Sequence, residues 1–229
     1  GVWAMQTRNF LIARSAWSHA ADTAQGAPYD AAFARGRALA HEGMAITMQS
    51  IARDDFRLTT LPRQALQRLS AAHALIRPFV FADSPSEPSR AAPDSRAAQV
   101  LYAQILAWDA AIWSQLDSET PPRYFGERLE ATPRNIDGIA VCAIRRESGS
   151  NRIDGSFQTL GGDQLSAAVA GLHFDSMGVY QGADVMATVG NEGFVRAAAV
   201  TASTWTYVAE LSGDCRPAAL YFVPIGVRE

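Results

Sequence analysis

Over residues 1–120, apolar positions recur at three- and four-residue spacing, which is the period of an α-helix. In "WAMQTRNFLIARSAWSHAADTA", Trp3, Phe10 and Trp17 stand seven apart beside a second stripe of Met5, Ile12 and His19. The spacing predicts one continuous helix, ended by Gly26 and Pro28. A second helix follows in "YDAAFARGRALAHEGMAITMQSIAR", where Gly36, Ala40, Gly43 and Thr47 form a stripe of small residues at 4-3-4 spacing. Glycine inside a helix costs about 1 kcal/mol relative to alanine. Two of them on one face make sense where another backbone comes close, so this stripe is read as a helix-packing groove. His41, Met44 and Met48 form the neighbouring stripe.

Thr60 is the expected N-cap of a third helix, with Pro62 tolerated in its first turn. Leu66, Leu69, His73 and Ile76 follow at 3-4-3 spacing, and Pro78 is expected to stop the helix. The Pro- and Ser-rich stretch "DSPSEPSRAAPD" reads as a loop. A fourth helix, "SRAAQVLYAQILAWDAAIWSQL", carries Leu101, Ile105, Trp108 and Ile112 on one face. Four helices with mostly short connections predict an up-down bundle over residues 1–120.

The pattern changes after a linker at 121–135. Residues 136–229 read as a β-rich module: "IDGIAVCAIRRE" and "RIDGSFQTL" as strands, then "GGDQLSAAVAGL" as a short helix capped by Asp163. The strands "ADVMATV", "FVRAAAVTA", "TWTYVAEL" and "PAALYFVPI" complete it, although "FVRAAAVTAS" also suits a helix. The last two strands are expected to form a hairpin, with Pro224 at a sheet edge or a strand end. The fold class expected is therefore α+β, a helical bundle followed by a small antiparallel sheet. With the ambiguous "FVRAAAVTAS" left uncounted, its β-β-α-β-β-β order is similar to that of PAS, GAF or profilin modules, with a β-sandwich as the alternative.

Composition narrows the function more than it names one. The chain has 229 residues, 48% of them apolar, and a formal net charge of −3, so no broad basic surface is available to grip a nucleic acid. All 20 basic residues are arginine. Schiff-base and P-loop lysine chemistry are thereby excluded, and the Arg-only, Ala-rich composition fits the codon bias of a GC-rich bacterium. There is no apolar run of about eighteen residues to span a membrane. The start at Gly1, with Trp3, Met5 and Arg8 close behind, fits the end of a removed anchor or signal, through which alone a membrane would be involved. An extracytoplasmic location is the expectation.

Cys142 and Cys215 are the only cysteines and form a candidate disulfide. Two free thiols are the alternative, in which case Arg216 would lower the pKa of Cys215 and make it reactive. His19, His41 and His73 fall on the first three helices. At about 1.5 Å per residue, His41 lies roughly 18 Å along the bundle from His19, too far for one site to use all three. No metal or haem site is expected, and no cofactor. "RDDF", the Arg145–Arg146 pair and the Gly161–Gly162 turn read as solvated or turn features.

His173 and Asp175, in "HFDS", together with Trp205 and Tyr207, form a candidate pocket. The function expected is a non-catalytic ligand-sensing or protein-interaction domain with a protein partner or a second copy of itself, and with room for a small-molecule ligand. A self-associating structural protein of a pilus, secretion apparatus or shell is the first alternative. An enzyme with its site near His173 is the second.

Overall fold

The computed structural model describes residues 2–24, 30–53, 60–81, 95–116, 129–150, 153 and 165–225. The chain divides into two compact units, Gly1–Leu129 and Glu130–Glu229. Among the described residues the first is helical and the second is built of antiparallel strands with one helix. No helix among the described residues is long and apolar enough to cross a membrane.

The helical unit holds α1 (Val2–Gln6), α2 (Phe10–Thr23), α3 (Asp30–Ala52), α4 (Leu61–Phe81) and α5 (Ser95–Leu116). Each of α2 to α5 packs on the next, and α3 also touches α5. The continuous first helix expected from the Trp3–Phe10–Trp17 spacing is in fact broken. Asn9 N–H donates to Ala4 O (2.8 Å) and Arg8 N–H to Met5 O (3.1 Å), while Arg8 takes a left-handed φ of 56°. That is the Schellman closure of a helix end. Asn9 then caps α2 through its side chain, which accepts from Ile12 N–H. An asparagine able both to close one helix and to start the next overrides the apolar period.

Pro78 does not stop α4, which runs three residues further. The missing proline N–H costs the bond to the Ala74 carbonyl. Aromatic packing offsets that loss: Phe79 meets Phe33 edge-on at 5.4 Å, and Phe81 meets Tyr102 at 5.5 Å. At the other end, Gln64 N–H donates to Thr60 O at 3.1 Å, so Thr60 stands at the N-cap position.

The second unit contains β1 (Asn135–Ile136), β2 (Ile139–Ala140), β3 (Ala143–Ser148), β4 (Ala167–Phe174), β5 (Tyr180–Val189), α6 (Glu192–Ser203), β6 (Thr206–Glu210) and β7 (Leu220–Ile225). Its strands form three antiparallel groups, β1–β2, β3–β6 and β5–β4–β7. Several expectations are corrected here. Residues 136–147 are not one strand: Asp137 and Gly138, both at positive φ, make a tight turn between β1 and β2.

Of the expected helix over 161–172, residues 167–172 are part of strand β4. Its residues are buried on both faces, which removes the polar alternation that marks a half-exposed strand. The segment 194–203, read as a strand, is helix α6. It is capped by the Asn191 side chain and buries Phe194, Ala198 and Ala202 at four-residue spacing. Among the described residues the helix therefore falls after five strands rather than two.

The expected terminal hairpin does not form either. β6 pairs with β3, whereas β7 pairs with β4. Pro224 lies in β7 at the edge of the three-stranded sheet, where its missing N–H breaks no ladder. Ala168, Ala170, Leu172 and Phe174 face a core shared with α6, β7, Trp205, Tyr207 and Ala209. The "RIDGSFQTL" strand, Asp163, the Gly161–Gly162 turn, the Pro/Ser-rich loop and "DDF" lie outside the described residues, apart from the buried Ile153.

Candidate functional site

The residues expected to share a pocket around His173 are not brought together. His173 falls on the face of β4 opposite Phe174, and its Nε2 lies 2.8 Å from Asp184 Oδ1 on β5. Both side chains are somewhat less than half exposed. Asp175 serves the turn that follows: its Oδ1 accepts from the N–H groups of Met177 and Val179 at 2.9 Å, and its Oδ2 from Gln181. Trp205 and Tyr207 are buried in the core, meeting edge-on at 5.8 Å, and Trp205 Nε1 donates to Ser150 O. Burial pushes the Tyr207 hydroxyl pKa up, against a smaller lowering by Arg146.

Cys142 and Cys215 are joined in a disulfide, with Cα atoms 4.9 Å apart. Cys215 is therefore not a reactive thiol. The bridge is flanked by two backbone bonds, from Cys142 N–H to Arg216 O and from Arg216 N–H to Ala140 O, both at 2.9 Å. Arg145 lies 3.7 Å from both Glu147 and Glu210, as an exposed ion-pair cluster.

The histidines of the helical unit have separate tasks. His41 stacks on Trp17 with ring centroids 4.6 Å apart, and its Nδ1 donates to Arg37 O at 2.7 Å. His73 is buried, with Nε2 2.7 Å from Tyr102 Oη. Among the described residues, no group of three or more His, Cys, Asp or Glu side chains is placed to hold a metal ion. In the small-residue stripe, a Cβ on Gly36 would lie 2.7 Å from Ile76 Cδ1, and one on Gly43 3.1 Å from Ala65 O. Ala40 and Thr47 are fully buried beside them, and Thr47 Oγ1 donates to Gly43 O at 2.9 Å. This is the face along which α3 meets α4.

A site that the sequence reading missed lies one residue from Gly43. Glu42 is only 2% exposed. It lines a cleft of about 440 Å³ formed by α2, α3 and α4. α2 contributes Leu11, Arg14, Ser15, Ser18, His19 and Asp22, a stripe with the 3-4 spacing of one helix face. Arg68 of α4 closes it, with Nε 3.1 Å from Glu42 Oε2. That contact is an ion pair in which the guanidinium N–H meets Oε2 in marginal hydrogen-bond geometry.

Burial is the main influence on Glu42 and raises its pKa. Arg68 and Arg14 act the other way, and Asp22 adds a smaller raising effect. Arg14 also donates to Gln64 Oε1 at 3.0 Å, which holds the guanidinium between α2 and α4. The cleft thus combines two carboxylates, two guanidiniums, two hydroxyls and an imidazole, with the exposed Leu11 at its mouth. Such a set can bind a polar molecule from several sides at once.

No family model, curated protein or solved structure matches this chain.

Proposed function

We propose that this chain is a non-catalytic binding domain of an exported protein, and that its helical unit takes a small polar ligand in the cleft beside Glu42. The observation that carries this reading is a carboxylate 2% exposed, met at Oε2 by a marginally aligned guanidinium, lining a cleft of about 440 Å³. A buried charged oxygen left in this state is costly, and a ligand donor would recover part of that cost. Pockets of this volume suit metabolite-sized molecules. The Cys142–Cys215 disulfide supports an oxidising compartment, hence an extracytoplasmic location.

A thermal-shift screen of small polar metabolites tests the proposal. The expected result is a rise in melting temperature with at least one of them, abolished by Ser15→Trp, which fills the cleft from the exposed side of α2. A screen without any hit argues against it.

Self-association is the second reading, and it is favoured by exposed apolar side chains in the β unit. Met177, Val179 and Leu211 are 71%, 52% and 62% exposed, and Gly178 between the first two lies against Leu211. Light scattering after size exclusion separates the two, since a monomer that binds ligands supports the first. The enzyme reading started from His173 with Asp175 beside it; His173 pairs instead with Asp184, and Asp175 serves its own turn.

A further inference from the structure

We infer that the ligand of the Glu42 cleft is a small zwitterion, a free α-amino acid or dipeptide, held by its ammonium group on Glu42 and by its carboxylate on Arg14 and Arg68. This rests on the binding-domain reading above and specifies its ligand class.

The charges of the cleft carry the inference. Glu42 and Asp22 balance Arg14 and Arg68, and all four are close enough for the other three to act on Glu42. A purely anionic ligand would gain the arginines but meet two carboxylates. A purely cationic one would face the reverse. A molecule with both charges can match both sets, and like-charge juxtaposition selects against the others.

The hydrogen-bonding state of each group points the same way. Glu42 Oε2 is met by Arg68 Nε only in marginal hydrogen-bond geometry, and an ammonium supplies three N–H groups that can align on it. Arg14 commits one terminal nitrogen to Gln64, leaving further N–H donors for a carboxylate. Arg68 is 45% exposed and only loosely aligned on Glu42, so it can turn towards a ligand carboxylate as the ammonium takes its place. Leu11, at the mouth, offers an apolar contact for a side chain.

The test is calorimetric titration of the whole chain with L-leucine and L-alanyl-L-alanine, against L-leucinamide, N-acetyl-L-leucine, succinate, putrescine and glucose. The expected result is saturable binding of a zwitterion, weakened at least tenfold when either charge is removed, as in the amide or the N-acetyl form. Glu42→Gln should remove the preference for leucine over N-acetyl-leucine, and Arg14→Gln the preference for leucine over leucinamide. Ser15→Trp, at an exposed helix position, should abolish zwitterion binding by filling the cleft, which keeps the site testable if Glu42→Gln does not fold.

Binding of succinate, putrescine or glucose without a zwitterion overturns the inference and leaves the binding-domain reading standing. Zwitterion binding unchanged in the variants also overturns it. Absence of binding by every probe, with no hit in the wider metabolite screen, overturns both.

Discussion

Gly43 of α3 and the Ala65 carbonyl of α4 are so close that a Cβ on the glycine would lie 3.1 Å from that oxygen and 3.0 Å from Leu69 Cγ. A side chain tip can move aside, but a helical carbonyl cannot do so cheaply. Gly43→Leu should therefore destabilise the helical unit by about 2–3 kcal/mol through overpacking. Urea unfolding followed by far-UV circular dichroism measures this, and an unchanged midpoint would show the face to be open.

The same helix marks the limit of what its sequence conveys. Gly36, Ala40, Gly43 and Thr47 could be read as a contact surface because helix packing needs only local periodicity. Glu42 could not be read as a site residue, because its partners lie 28 residues before it at Arg14 and 26 after it at Arg68, on two other helices. Strand β4 was misread for a related reason. "AAVAGLHF" is buried on both faces, so it shows neither alternation nor a helical stripe. Helix α6 did carry a signal, in Asn191 followed by Phe194, Ala198 and Ala202, and an apolar run rich in valine and alanine obscured it. The pairing of β6 with β3, across 58 to 67 residues, has no local signature at all.

The Cys142–Cys215 bridge closes a loop with a sequence separation of 73. In the chain-entropy model a loop of that size contributes roughly 4 kcal/mol by restricting the unfolded chain. The Cys142→Ala/Cys215→Ala double variant should lose about that much, and the parent should approach it when unfolded in reductant. A urea midpoint insensitive to both changes would contradict the role assigned to the bridge.

Tyr221 ties the edge strand β7 to the bridge region. Its hydroxyl donates to Cys142 O at 2.9 Å and accepts from Ala218 N–H at 3.0 Å, and the residue is buried. Burial accordingly raises its pKa, against a smaller lowering by the Ala218 N–H. Tyr221→Phe keeps the ring packing against Phe174 but leaves a buried carbonyl and a part-buried N–H without this partner. The expected loss is about 1–3 kcal/mol. Hydrogen exchange at Ala218 provides the second readout: its amide should lose protection in the variant, whereas a purely steric role would leave it protected.

Glu42 should give the fold a distinctive dependence on pH. Its folded pKa is raised above the ordinary value of 4.5, chiefly by burial, so the native state holds this proton more tightly than the unfolded chain. Between the ordinary and the raised value the folded protein binds more protons, and stability falls as pH rises. The cost is absent below the ordinary value and complete above the raised one. Glu42→Gln removes the titration, so the variant should gain on the parent as pH rises through that window and hold a constant advantage beyond it. Arg68, nearly half exposed, can be hydrated when its partner is gone. Urea midpoints of both proteins from pH 4 to pH 7 decide the matter: parallel profiles would mean that Glu42 titrates as it does in the unfolded chain, and the cleft would then hold no desolvated carboxylate.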